Sequence, residues 1–162
     1  MKPDTLQHLR GLFNELTDRR KAASEALLAR ERVLRGAETS LREAEQAYAR
    51  AARDSEEAQE RHADLRDFRD SIVGTNGVGV VTEDLNRLAS ECVEKSRAKD
   101  AAGAALDARR GEAVKARADH VMAQDQYQWL CSERDGLAAH IKAAENQSAE
   151  AEAPPPEPDT DH

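Results

Sequence analysis

The sequence predicts an all-α protein: a long antiparallel two-helix coiled-coil hairpin with a short Gly/Val-rich tip and a disordered acidic tail. The first observation behind this fold class is that no proline lies between Pro3 and Pro154, so 150 residues are free to run as helix. The second is a heptad pattern on both sides of a single glycine-rich stretch, residues 71–82. The predicted elements are therefore a helix over 4–70, a tip over 71–82 and a helix over 83–147.

The composition supports a narrow apolar seam and argues against a broad core. The chain has 162 residues, of which 30 are alanine and only 26 are leucine, isoleucine, valine or phenylalanine. A compact globule of this length needs more large apolar side chains. Two packed helices need only one apolar stripe each.

The first predicted helix carries nine heptads without interruption. Its first set of seam positions holds Leu6, Phe13, Arg20, Leu27, Leu34, Leu41, Tyr48, Ser55 and His62. The interleaved set holds Leu9, Leu16, Ala23, Arg30, Ala37, Ala44, Ala51, Ala58 and Leu65. Most of these residues are apolar or alanine, as the seam of a coiled coil requires.

The second predicted helix repeats the pattern. One set of its seam positions holds Leu85, Cys92, Lys99, Leu106, Ala113, His120, Tyr127, Arg134 and Ile141. The other holds Leu88, Lys95, Ala102, Arg109, Ala116, Ala123, Leu130, Leu137 and Ala144. The residues near Ser55 and Lys95 are small or polar, so we expect a thin, mobile middle.

The register follows from matching large side chains to small ones, because protein interiors leave few voids. Pairs whose residue numbers add to about 150 place Leu34 beside Ala116 and Tyr48 beside Ala102. A register one heptad away, near 157, matches the sizes less well but remains an alternative.

Capping and turn residues set the expected ends of the helices. Asp4 and Thr82 are the predicted N-caps, because their side-chain oxygens can accept from the first free amides. Asn76-Gly77 favours a type I′ turn, so the tip is either a small β-hairpin or an irregular loop. Residues 148–162 hold four prolines and five acidic residues without lysine or arginine, which predicts a disordered tail.

Charge and hydropathy narrow the class of protein. The net charge of -8 argues against a general nucleic-acid partner, since phosphate binding needs a basic surface. No apolar run is long enough for membrane insertion or a secretory signal, so we expect a cytoplasmic protein. Cys92 and Cys131 would lie far apart on one helix, which agrees with a reducing compartment.

No residue pattern indicates catalysis, a cofactor or a metal. The stretch from Gly74 to Gly79 resembles a phosphate-binding loop, but its glycine order is wrong and no Lys-Ser or Lys-Thr follows. The five histidines lack the spacing of metal ligands. We therefore predict no enzyme, no cofactor and no metal site.

The surface offers candidate partner-binding residues. The start of the first helix is basic, with eight lysines and arginines against five acids over residues 1–35. Off-seam apolar side chains, notably Trp129, also favour a protein partner, together with Val114 and Met122. The candidate residues are Arg19, Arg20, Lys21, Arg30, Arg32, Arg35, Leu28, Val121 and Trp129.

The layout over residues 4–146 resembles the stalk proteins of type III secretion and flagellar export, the FliJ/YscO family. The resemblance lies in a single helical hairpin with a short central connection, a leucine soon after it in Thr82-Glu83-Asp84-Leu85, and a hydrophilic end. It implies a non-catalytic stalk that couples a hexameric export ATPase to the export gate. The ATPase would contact the half of the hairpin nearer the termini, with Arg19, Arg20, Lys21, Arg30 and Arg32 as the contacts implied.

The alternative function is a coiled-coil adaptor or a prefoldin-like chaperone or scaffold subunit. A helical hairpin with a β-like tip resembles a prefoldin subunit, although the predicted tip is short for one. Mass in solution separates these forms. A stalk is expected to be a monomer, which we favour, a prefoldin-like protein a hexamer, and an adaptor a dimer.

Overall fold

A computed structural model describes residues 3–152 of the chain. They form two helices, α1 (Pro3–Ser71) and α2 (Val78–Glu152), of 69 and 75 residues. The helices pack against each other, and the described residues contain no strand. The predicted all-α helical hairpin is therefore confirmed.

The contacts divide the chain into two units, each holding part of both helices. Unit 1 is Met1–Arg32 with Ala118–His162, and unit 2 is Val33–Arg117. Ion pairs between the two helices show that the helices are antiparallel within each unit. The two residue numbers of each pair add to between 149 and 155, which agrees with the predicted register near 150. In unit 1 the ion pairs join Arg10 to Glu145 and Arg30 to Asp119, and in unit 2 Glu38 to Arg117, Asp54 to Lys95 and Arg61 to Glu91.

The seam lies where the heptads place it. Every predicted seam residue is buried or half-buried except Arg30 and Arg109. All the fully buried apolar residues are seam residues, and most are alanine: Ala23, Ala58, Leu85, Leu106, Ala113, Ala116, Leu130 and Ala144. Alanine contacts require the two helix backbones to approach closely.

The middle of the seam is packed more tightly than its small side chains suggest. Ala58 is 0% exposed and Ser55 is 2% exposed, the lowest values in the seam. The Lys95 ammonium pairs with the Asp54 carboxylate at 3.5 Å. The Lys95 side chain therefore does not lie between the two helices at Ser55. The expected thin middle is therefore a closely packed layer of small residues.

The tip is a six-residue turn over residues 72–77 and not a β-hairpin. A type I′ turn at Asn76-Gly77 would need a positive φ at both of these residues. Among the described residues only Gly74 has a positive φ, at 92°, so the predicted type I′ turn is wrong. The Thr75 amide and hydroxyl both donate to the carbonyl of Ile72, at 3.1 and 2.9 Å. The irregular loop, the other alternative for the tip, is the structure found.

The helix α2 begins earlier than position 83 because the seam continues into the tip. Val78 and Val81 continue the heptad frame of Leu85, and all three are buried or half-buried. This packing overrides the β preference of valine. Thr82 therefore lies inside the helix, where its hydroxyl donates to the Val78 carbonyl at 2.8 Å, and the predicted Thr82 cap is wrong.

The other helix ends also differ from the predicted ones. α1 begins at Pro3. Proline suits the first position of a helix because it has no amide hydrogen, and an amide there would have no partner within the helix. Asp4 lies in the first turn and complements the helix dipole, so it is not the cap. α2 continues to Glu152, past the predicted end at 147, and residues 153–162 of the predicted tail lie outside the described residues.

Glycine-to-alanine substitutions on the two sides of the tip should have opposite effects. Gly74→Ala should lower the free energy of unfolding by about 1–2 kcal/mol, because a side chain is strained at positive φ. Gly79→Ala should raise it by about 1 kcal/mol through helix propensity, since nothing lies within 4 Å of the added methyl group. Urea unfolding followed by circular dichroism measures both, and equal effects would contradict this description of the tip.

Candidate partner-binding surface

Unit 1 contains eight of the nine candidate residues, and the structure distributes them over different surfaces. We label heptad positions a to g, with a at Leu6 and Leu85 and d at Leu9 and Leu88. Seam residues occupy a and d. Positions b, c and f point away from the seam, and e and g flank it.

The six cations do not form one patch. Arg19 pairs with Glu15 on its own helix at 2.9 Å, and Arg30 pairs with Asp119 across the seam at 3.5 Å. Arg35 belongs to unit 2 and has a bonding partner of its own. Lys21 and Arg32 are exposed and form no ion pair within residues 3–152, so they are the cations available to a partner.

Arg20 lies in the seam and not on the outer surface. Its residue is half-buried, and its Nε atom is buried without a hydrogen-bond partner. Arg134 also occupies a seam position, where a hydrogen bond to Asp135 at 2.6 Å raises the pKa of the guanidinium. The register brings these two arginines near the same level of unit 1, which interrupts its apolar seam.

One side of unit 1 presents exposed apolar side chains beside a free cation. Leu28 and Val121 are 51% and 48% exposed, and both occupy b positions at matching levels of the two helices. Lys21 occupies the b position one heptad before Leu28. We call these three residues the side face.

A second surface runs along α2. Its c and f positions from Ala118 to Asn146, here called the α2 outer face, are all exposed: Ala118, Met122, Asp125, Trp129, Ser132, Gly136, Ala139, Ala143 and Asn146. The next c position, Glu150, is also exposed and lies beyond this face. Met122 is 70% exposed and Trp129 is 55% exposed. Asp125 is the only acidic or basic residue among the nine.

The corresponding positions of α1 in unit 1 differ sharply. They are Asp4, His8, Gly11, Glu15, Asp18, Ala22, Glu25, Ala29 and Arg32, all exposed, and five of the nine are acidic or basic. A surface facing only water normally carries such charges. The α2 outer face carries only Asp125, and so low a charge is typical of a surface that a protein covers.

Trp129 faces outward, as its heptad position predicts, but the row to which it belongs was not predicted. A second set of heptad positions could have revealed this row, because the spacing alternates between four and three residues from Ala118 to Asn146. The usable signal was the low charge along that spacing, where Asp125 is the one acidic or basic residue.

An open groove of about 520 Å³ lies between the helices of unit 1. Leu12, Leu16 and Leu137 line its apolar part, and Gly136 opens it, since no atom lies within 4 Å of where its side chain would be. Glu15, Arg19, Glu133 and His140 complete the lining. The groove suits an apolar side chain from a partner.

The described residues contain no group of three or more histidine, cysteine or acidic side chains placed to hold a metal ion. Neither α1 nor α2, over residues 3–152, has a stretch apolar enough to cross a membrane. Comparisons with protein-family models, curated proteins and solved structures gave no match for this chain.

Replacing Arg20 tests whether it acts in the seam or on the surface. Arg20→Met should raise the free energy of unfolding by about 1 kcal/mol, because it removes a buried polar atom that has no partner. Arg32→Met, at an exposed position, should change it by less than about 0.5 kcal/mol. Denaturant unfolding of both variants provides the test. A loss of stability in Arg20→Met would mean that the guanidinium has a stabilising contact.

Proposed function

We propose that this protein is a non-catalytic helical hairpin that works by binding another protein through unit 1. The observation that carries the proposal is the side face, where Leu28 and Val121 expose about half of their surface. Beside them lies Lys21, which forms no ion pair with any residue of the described range 3–152. Burying the two apolar side chains contributes on the order of 1–2 kcal/mol each. The cation adds to the rate of association with an acidic partner.

The most specific form of this proposal is a stalk that couples a hexameric export ATPase to an export gate. Its support is the layout of the chain, two long packed helices joined by a six-residue turn, which resembles the stalk proteins of type III secretion and flagellar export. In this form the side face contacts the ATPase and the protein itself has no catalytic role.

The second form is a coiled-coil adaptor, and the α2 outer face favours it. This face, with Asp125 as its one charged residue, gives unit 1 a binding surface separate from the side face, as an adaptor between two proteins needs. The prefoldin-like version of this alternative loses its support, because the β-like tip on which it rested is a turn in this structure.

Paired substitutions on the side face test the proposal against the purified export ATPase hexamer. Leu28→Gln with Val121→Gln should weaken binding at least ten-fold, since each change removes apolar contact area. The matched control is Val114→Gln in unit 2, which is 68% exposed and should leave binding unchanged. Biolayer interferometry with the immobilised full chain measures the affinities, and circular dichroism checks the helix content.

Failure of the parent protein to bind the hexamer, alone or with the export gate, would reject the stalk. Equal losses in the side-face variant and in Val114→Gln would reject the side face as the contact.

A further inference from the structure

We propose that the α2 outer face is covered by the same face of a second copy of this chain, packed antiparallel to the first. This inference goes beyond the proposed function because it concerns a different surface and a different partner. Its experiment therefore succeeds or fails independently of export ATPase binding.

The first argument is that the face is complementary to itself in size. In an antiparallel seam, a residue of one row lies beside a residue of the other row of the partner helix. One register of the two copies pairs residues whose numbers add to 261. In this register Met122 lies beside Ala139 of the second copy, and Trp129 lies beside Ser132 of the second copy. Ala143 then meets Ala118. Each large side chain lies against a small one, as close packing requires.

The one charged residue of the face also has room in this register. Asp125 lies beside Gly136 of the second copy, where no side chain competes with its hydration. Gly136 thus accounts for both the groove and the placement of Asp125.

Neighbouring registers fit less well. A sum of 254 buries Asp125 against Trp129, which places a carboxylate on an apolar ring without a partner. A sum of 268 sets Met122 beside the larger Asn146 and places the Glu150 carboxylate against Ala118 at each end of the face. The register at 261 is the one of the three that sets Met122, Trp129 and Asp125 each beside alanine, serine or glycine.

The area is sufficient for a weak dimer. The face spans 28 residue steps, about 42 Å of helix, and a helix is about 10–12 Å wide. The strip therefore offers on the order of 500 Å² per copy, or about 1,000 Å² in the pair, which is the lower limit for a specific interface. We expect a dissociation constant in the micromolar range.

The proposed dimer contains one repulsive contact at the edge of the α2 outer face. Glu133 flanks the face near the two-fold axis, so the Glu133 side chains of the two copies approach each other. Like charges at such positions destabilise by a few tenths of a kcal/mol. Removing this charge should therefore strengthen the dimer, which an unrelated mode of association would not predict.

The chain contains a single tryptophan, Trp129, so its fluorescence reports directly on the proposed contact. Sedimentation equilibrium of the full chain should show the mass rising from 17.8 kDa to twice that value over a micromolar concentration range. The Trp129 emission should move to shorter wavelength with the same midpoint, because the second copy excludes water from the ring.

Variants then test the register. Gly136→Glu places a carboxylate against Asp125 and should weaken dimerisation at least ten-fold. Gly11→Glu is the matched control, since Gly11 also lies on an open helix surface and nothing surrounds it within 4 Å. Asp125→Lys combined with Gly136→Glu should restore the dimer through two new ion pairs. Glu133→Gln should tighten it.

A chain that stays monomeric at every concentration up to about 1 mM would overturn the proposal. So would a dimer that Gly136→Glu and Gly11→Glu affect equally, or one that the Asp125→Lys and Gly136→Glu combination fails to restore. An emission shift that occurs only when export ATPase is added would assign the face to that protein instead.

Discussion

Close approach of two helices over alanine and serine is the constraint on which the rest of the structure depends. Ala58 and Ser55 are almost fully buried, and Ala23, Ala113, Ala116 and Ala144 share this environment. With so few large apolar side chains, the chain gains its packing by bringing the backbones together. Small residues permit this approach only where they face each other or face one large side chain, so they also set the register.

The same constraint leaves most other side chains on the surface. In each unit the seam takes two positions of every heptad, and the remaining positions are free for charge or for partner contact. Ion pairs such as Arg61 with Glu91, at 2.7 Å, flank the seam. Exposed pairs contribute little stability, but they discriminate against shifted registers. Function is therefore expected on the outward positions of the helices, where Leu28, Val121 and Trp129 lie.

The sequence predicts the helices and the seam well because both follow from periodicity. Leu34, Leu106 and Ala116 could be placed without coordinates. The tip was harder to predict, since Val78, Val80 and Val81 resemble a strand locally and only their contacts across the seam make them helical. Continuing the heptad frame by one repeat before Leu85 would have moved the start of α2 to Val78. Arg20 was assigned to a surface patch because its charge was weighed above its seam position.

The most direct test of the close approach is to enlarge one of its small residues. Ala58→Leu should lower the free energy of unfolding by about 1–3 kcal/mol, because the opposite helix leaves no room for the added carbons. Ala49→Leu, the same change at an exposed position of unit 2, should alter it by less than about 0.5 kcal/mol. Urea unfolding monitored by circular dichroism gives both values. Equal stability of the two variants would show that the helices are not held together by their small residues.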